Sequence, residues 1–389
     1  MMLGIAMTGK APYSTVYLHG LVRNDGGQKI SKSMENIDEY DPLNIIDKYG
    51  TDALRYTLTT SSTPGLDMNL DPRRLEGARN SANKIWQAAR FVLMNVSEEG
   101  GAGLHTPVDS GELSLVDRWI LTRLNRLIAS VSRLFGNHQY GEAGRQINDF
   151  LWSEYCDWYI EASKVRLYDD DVDNSVPLRI LLHVLEASLR LLHPFMPYVT
   201  EAIWQALPGE VKEGEALIVA PWPQADEVQV DGEAETDMGT MMELIRGIRN
   251  RRAQYRVTPG KRIAAMIAAP DTLDVLEEER PMLCSLAKLD PEQMTVAEAI
   301  DPPSQAATIV VGTTTCYLPL AGMVDVEEER ARLSEGLAEV EARIARSEKL
   351  LEGPFADRAP EQVVERERDK LADMMTEKSK LGQRLEMLG

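Results

Sequence analysis

The sequence predicts a mostly α-helical chain built from several modules, with short mixed α/β pieces near its start and just before its tail. Three observations carry this. Apolar residues recur three and four positions apart through most of residues 79–192, a heptad pattern runs from 326 to 388, and strand-like runs of β-branched, aromatic and aliphatic residues stand at 16–22 and within 261–322. A chain of 389 residues has room for about two to four separate cores.

In order, Val16-Tyr17-Leu18-His19-Gly20-Leu21-Val22 reads as a buried strand ending in the turn cluster Asn24-Asp25-Gly26-Gly27. A loop then delivers Lys29-Ile30-Ser31-Lys32-Ser33. Pro42 opens a helix through Ile45, Ile46 and Tyr49, and a second starts after the Gly50-Thr51 break. Residues 61–72, with Pro64 and Gly65, read as a loop. Amphipathic helices follow over 79–96, 116–135, 141–168 and 178–192, so residues 73–260 are expected to form a helical bundle. Trp86, Trp152, Trp158 and Trp204 fall at core spacing.

Residues 261–322 change character. Strands are expected over 263–268, 307–311 and 314–320, with a helix over 273–280 stopped by Pro281, giving a small α/β subdomain. In the tail, Val326, Arg330, Leu333, Leu337, Val340, Ile344, Ser347 and Leu351 form one heptad seam. Beyond Gly353-Pro354 and Pro360, Val364, Glu367, Leu371, Met374, Lys378, Leu381, Leu385 and Leu388 form another. Two such arms joined by a turn predict an antiparallel coiled-coil hairpin, each arm about 40 Å long at 1.5 Å per residue.

The net charge is −20, which argues against a generic polyanion binder, so any RNA contact must use local cationic patches. Cys156, Cys284 and Cys316 are far apart and form no ligand pair, and they are expected to be buried reduced thiols. No run of about 18 apolar residues could span a bilayer, and residues 1–7 are too short for a signal segment, so no membrane is expected. A cytoplasmic monomer is the expectation.

The sharpest chemical signal is residues 29–33. Two lysines and two serines on a loop preceded by glycines supply cations and hydroxyl donors to a polyphosphate, and such a pentapeptide would arise by chance less than about once in a hundred chains this long. A solvated polar loop is the plainer reading. A second cluster, Arg246, Arg249, Arg251, Arg252, Arg256, Lys261 and Arg262 with Tyr255 interleaved, suits phosphate contact and base stacking, or is a solvated helix end. His19 is either near a nucleotide or packed at a strand end, and Gly20 would let the backbone approach a ligand.

Residues 29–33 resemble the second signature of the class I aminoacyl-tRNA synthetases, usually Lys-Met-Ser-Lys-Ser, with Ile30 in place of the Met. Three further stretches are similar to the valine, isoleucine and leucine subgroup: residues 16–22, residues 49–56 (Tyr-Gly-Thr-Asp-Ala-Leu-Arg-Tyr) and Asn83-Lys84-Ile85-Trp86. Residues 155–161 (Tyr-Cys-Asp-Trp-Tyr-Ile-Glu) and 193–198 (His-Pro-Phe-Met-Pro-Tyr) look like its anticodon-binding helices. The heptad tail and the lack of paired cysteines favour the valine-specific branch. No pair among His19, His105, His138, His183 and His193 has the spacing of the first signature, His-x-Gly-His.

The resemblance implies four domains. Residues 1–72 would be the C-terminal remnant of a Rossmann-like α/β catalytic domain, 73–260 an anticodon-binding helical bundle, 261–322 the small α/β subdomain, and 323–389 a tRNA-binding hairpin. The implied reaction is ATP-dependent activation of valine, with magnesium accompanying ATP, and its transfer to tRNA(Val). Lys29 and Lys32 would be catalytic, and Lys29, Ser31, Lys32 and Ser33 would bind ATP. Arg246, Arg249, Arg251, Arg252 and Arg256 would contact tRNA. The isolated chain is expected to be inactive. The alternatives are a non-catalytic tRNA-binding module or a piece of an isoleucine-type synthetase.

Overall fold

The structure, a computed structural model, describes residues 1–61, 65–96, 110–169, 171, 173–212, 214–226, 230–321, 323, 326–353 and 360–387. Pro64, His105, Pro354 and Leu388 lie outside the described residues. The chain divides into two compact units, Met1–Met238 and Gly239–Gly389.

The first unit opens with a short exposed helix, α1 (Met2–Thr8). The strand expected over residues 16–22 is mostly absent. Only Val22–Arg23 (β1) pairs, in parallel with Met68–Asn69 (β2), and Val16, Leu18 and Leu21 are exposed. A buried strand needs hydrogen-bonded neighbours and a layer on each face, and the described residues offer this segment one two-residue partner. Gly20 has a different role from the one expected: a Cβ there would lie 1.8 Å from the Leu66 carbonyl oxygen, so glycine permits the close approach of two backbones.

Helix α2 (Pro42–Tyr49) is capped by the Asp41 carboxylate, which accepts from the Leu43 N–H at 2.8 Å. Gly50, at φ 93°, separates it from α3 (Thr51–Thr60). Helix α4 (Pro72–Asn95) starts earlier than its apolar period suggests, because Asp71 caps it through the Arg73 N–H and Pro72 supplies a pre-set first turn. Five more helices complete the bundle: α5 (Leu115–Gly136), α6 (Tyr140–Asp149), α7 (Ile160–Leu167), α8 (Ser175–Leu192) and α9 (Pro197–Ala206).

Between α6 and α7 the chain winds as a π-helix, Phe150–Tyr159, which the periodicity over 141–168 did not anticipate. Its wider turns bring Phe150 and Leu151, then Tyr155 and Cys156, then Tyr159 to the core, and they leave Trp152 38% exposed. Trp86 is 40% exposed because it lies off the stripe formed by Ile85, Ala89 and Val92. Trp158 and Trp204 are buried as expected.

The motif stretches lock onto each other. The Asp52 carboxylate accepts from the Tyr198 and Val199 N–H groups at 3.1 and 2.6 Å, filling orphan donors at the start of α9. The Arg55 guanidinium donates to the Pro194 carbonyl at 3.2 Å, and the rings of Tyr56 and Phe195 meet edge to face. Lys84 Nζ donates to Asp157 at 2.6 Å and to the Trp152 carbonyl at 3.1 Å. Residues 49–56 and 193–198 therefore weld α3 to α9, while residues 83–86 and 155–161 weld α4 to the π-helix.

Helix α10 (Gly232–Gln254) carries the chain into the second unit. There a four-stranded sheet has the order β4-β3-β6-β5, built from β3 (Ile263–Ala268), β4 (Leu289–Ala297), β5 (Ala306–Val311) and β6 (Thr314–Pro319). Strands β5 and β6 form a hairpin with Val311 opposite Thr314 and Gly312 at φ 56° in the turn. Pro281 does not stop a helix. It sits in the first turn of α12 (Arg280–Ala287), which follows α11 (Leu273–Glu278), because a proline's missing donor costs nothing there. Strand β4 was not expected; as an edge strand it tolerates Pro291.

The tail forms two helices of 27 residues each, α13 (Val326–Glu352) and α14 (Glu361–Met387). They run antiparallel, since Glu341 pairs with Lys378, Arg343 with Glu377, and Ser347 with Glu367. Val340, Ile344 and Met374 fill the seam, flanked by Leu371 and Leu381. The expected hairpin is present.

Candidate phosphate loop and RNA-facing cations

The Lys29 loop is held from both ends. Upstream, the Asn24 N–H donates to the Gln28 carbonyl at 2.8 Å, the Gln28 N–H returns to Asn24 Oδ1 at 2.7 Å, and Gly27 adopts φ 79°. Arg23 bridges this turn to β2, donating to the Gly27 carbonyl at 3.2 Å and to the Asp67 carboxylate at 2.6 Å. The Leu21 N–H and Arg23 together hold the Asp67 carboxyl below the usual carboxylate range.

Downstream, Ile30 and Met34 pack against a cluster of Tyr40, Ile45, Leu54, Leu70 and Leu75. The Met34 N–H donates to the Ser31 carbonyl at 3.1 Å, closing a turn, and the Ser31 and Ser33 hydroxyls are 3.0 Å apart. Apolar side chains at positions 30 and 34 thus pin the loop inward, while Lys29, Lys32 and Ser33 are exposed. Among the described residues neither lysine has a carboxylate partner. The loop carries two exposed lysines and two neighbouring hydroxyls on a held turn, a set of groups suited to phosphate oxygens.

The arginine stretch is different. Arg252 is buried, and its guanidinium donates to the carbonyls of Lys288, Thr258 and Pro259 at 3.2–3.4 Å. Burial lowers its pKa from the ordinary arginine value. Arg249 donates to the Leu286 carbonyl at 2.9 Å, and Arg251 to Gln254 at 2.8 Å and the Thr308 carbonyl at 3.3 Å. Arg262 donates to the Leu289 carbonyl at 2.8 Å. Tyr255 is buried, so the stacking surface expected of it is enclosed. Arg246 and Arg256 are exposed.

Other cations are matched by carboxylates. Arg118 pairs with Asp231 at 2.7 Å, Arg126 with Glu235 at 2.6 Å, and Arg123 with Glu154 at 2.6 Å. His19 is exposed, with Nδ1 2.9 Å from the Gly20 carbonyl. The three cysteines are buried, and burial pushes the Cys156 and Cys316 thiols up to about 12. The surface indoles escaped the sequence reading: Lys84 Nζ lies 3.8 Å from the Trp152 ring centroid, a cation–π contact on an exposed face. The lysine's place in a shared motif with Trp86 was the available signal.

Comparison with known proteins accounts for these features together. Residues 1–71 match the family of class I tRNA synthetases (I, L, M and V), 117–267 the anticodon-binding domain of tRNA ligase, and 325–389 the valyl tRNA synthetase tRNA binding arm. Valine–tRNA ligase of Syntrophotalea carbinolica is 41% identical over 392 aligned positions, covering 100% of this chain and 43% of that protein. Valine–tRNA ligase of Listeria monocytogenes is 40% identical over 390, covering 99% and 43%. The chain spans less than half the length of these curated relatives. With all three family matches in chain order and this identity from end to end, the chain belongs to the valyl-tRNA synthetase family and corresponds to the C-terminal portion of its members.

Proposed function

We propose that this chain supplies the ATP-phosphate loop and the tRNA-binding modules of a valine–tRNA ligase, which activates valine with ATP and transfers it to tRNA(Val). The observation that carries the reading is the end-to-end 41% identity to valine–tRNA ligase, combined with a pinned loop whose lysines face outward. In this reading Lys29 and Lys32 neutralise charge that builds on the β- and γ-phosphates as the valine carboxylate attacks the α-phosphate, and Ser31 and Ser33 donate to phosphate oxygens. Magnesium accompanies ATP, held through its phosphate oxygens. Residues 73–260 would bind the anticodon arm, with Arg246 and its neighbours adding phosphate contacts near the end of that segment, and the hairpin would brace the tRNA elsewhere. The whole enzyme would act as a cytoplasmic monomer; among the described residues no helix is long and apolar enough to cross a membrane.

The test joins this chain to the portion of the Syntrophotalea carbinolica relative that it does not match. The hybrid should catalyse valine-dependent pyrophosphate exchange and charge tRNA(Val), whereas the 389-residue chain alone should do neither. A folded hybrid that binds tRNA yet exchanges no pyrophosphate would reduce the chain to a tRNA-binding module.

A further inference from the structure

A cleft of about 260 Å³ opens in the first unit between α3, α4 and α6, away from the Lys29 loop. Its position follows from a close helix crossing. Gly144 of α6 sits where a Cβ would lie 2.7 Å from Thr60 Cγ2 and 2.8 Å from the Phe195 ring, so only glycine lets α6 approach α3 this tightly. The Tyr56 hydroxyl donates to the Gly144 carbonyl at 3.1 Å and fixes the crossing.

The walls carry donors. Arg74 Nη1 donates to Ser61 Oγ at 2.8 Å, which leaves most of a guanidinium fork facing the opening, and Arg74 has no carboxylate partner among the described residues. Arg145 Nη1 donates to the Thr60 carbonyl at 2.8 Å, and its far edge is held by Glu142 at 2.7 Å. The Ser81 hydroxyl donates to Asn148 Oδ1, which turns the Asn148 amide N–H groups toward other acceptors. No lining residue is acidic. Gly77 stands at the rim, inside a helix, where a Cβ would meet nothing within 4 Å. Glycine weakens a helix interior and packing does not require it here, whereas a ligand approaching the backbone would benefit from it.

We infer that this cleft binds a phosphate group of an RNA backbone, held by the Arg74 guanidinium and the Asn148 amide. The inference rests on the tRNA-binding reading above and adds a contact that the Lys29 loop and the residue 246–262 stretch do not make. The Arg74 fork, which no carboxylate occupies among the described residues, matches a phosphodiester with its two free oxygens, while Arg145, held by Glu142 and the Thr60 carbonyl, stays in the wall. Such a contact fixes position without reading sequence.

The experiment measures binding of a tRNA(Val) transcript to the 389-residue chain across a salt series. Arg74→Gln should weaken binding about tenfold at 0.1 M salt and lower the log–log salt slope by about one, the signature of one lost phosphate contact. Arg74→Lys keeps the charge and should restore the slope. Gly77→Glu should weaken binding similarly while raising the thermal midpoint, because the helix gains a better former and the cleft gains an anion; this variant separates binding from folding. Wild-type affinity and slope in Arg74→Gln and Gly77→Glu, with tRNA still bound by the unaltered chain, would overturn the cleft and leave the tRNA reading standing. Failure of the unaltered chain to bind tRNA would overturn both. Tripolyphosphate that competes in the unaltered chain at micromolar concentration, but not in Arg74→Gln, would assign the cleft to a free polyphosphate instead of RNA.

Discussion

Two cation-rich stretches look alike in the sequence and behave oppositely in the structure. Lys29 and Lys32 stand on a turn whose apolar residues, Ile30 and Met34, are drawn into a core cluster, and the lysine heads are left without carboxylate partners among the described residues. In residues 246–262 the cations themselves do the anchoring. Arg249, Arg251, Arg252 and Arg262 each donate to a backbone carbonyl, and Arg252 is enclosed. A run of positive charge is therefore left available to a ligand, as the proposed function requires of Lys29 and Lys32, when something else holds the backbone, and acts as a structural clamp when the charged groups hold it. Arginine favours the second outcome because its planar fork reaches several carbonyls at once.

The largest effect expected from this contrast concerns Lys32. In the hybrid enzyme, Lys32→Ala should slow valine-dependent pyrophosphate exchange by about a hundredfold or more, the scale of one lost transition-state donor. The chain's thermal midpoint should stay in place, since Lys32 holds nothing in the described structure. Exchange at the unaltered rate would remove the loop from catalysis.

Arg252 should show the reverse pattern. Arg252→Ala removes a buried guanidinium that ties the carbonyls of Lys288, Thr258 and Pro259 together, and it should destabilise the fold by about 1–3 kcal/mol. Urea melts of the whole chain provide the measurement. Arg256→Ala, at an exposed position, should change stability by less than about 0.5 kcal/mol and lower the tRNA salt slope by about one. If Arg252→Ala melts normally and loses tRNA instead, the two stretches are the same kind of site and the contrast fails.

How much of this was legible beforehand depends on whether the feature is local. Most helices of the bundle and the antiparallel hairpin follow from periods of 3.6 and 3.5, which a chain carries within itself, although Lys378, expected in the seam, is about half exposed. The Lys29 loop was legible for the same reason, as five adjacent residues after a turn. Residues 16–22 do not form the expected strand because a strand exists only with its neighbours: among the described residues, the Leu18 carbonyl accepts one bond from the Gly65 N–H, and the ladder starts only at Val22. Trp152 was placed in the core by a 3.6 period that the π-helix replaces. Tyr255 was offered for stacking although it faces inward, since residue type does not reveal which side of a helix a sheet will cover. Pro281 was read as a stop when it is a start, a sign that local chemistry alone left open.

The smallest expected effect sharpens the contrast inside the hairpin. Arg343, Arg346 and Lys349 lie three residues apart on α13 and are cations by which the first arm of the hairpin would meet RNA phosphates. The structure separates them. Arg343 sits 3.6 Å from Glu377 of α14 with both side chains about half exposed, while Arg346 and Lys349 are exposed along the arm. A pair so open to water stabilises by about 0–1 kcal/mol at most, so Arg343→Ala should barely move the melting of the hairpin. It should also change tRNA binding less than Arg346→Ala, because Glu377 offsets part of the Arg343 charge, which then neutralises less of a phosphate and displaces fewer of the cations condensed on the RNA. The expected salt slopes are a loss of about one for Arg346→Ala and less than one for Arg343→Ala, with affinities within a few fold of the unaltered chain. Glu377→Gln provides the converse, freeing Arg343 and steepening the slope. Equal losses from Arg343 and Arg346, together with no change from Glu377→Gln, would mean that a surface pairing at this distance does not withhold a cation from RNA, and the rule drawn from the Arg252 clamp would then apply to buried arginines alone.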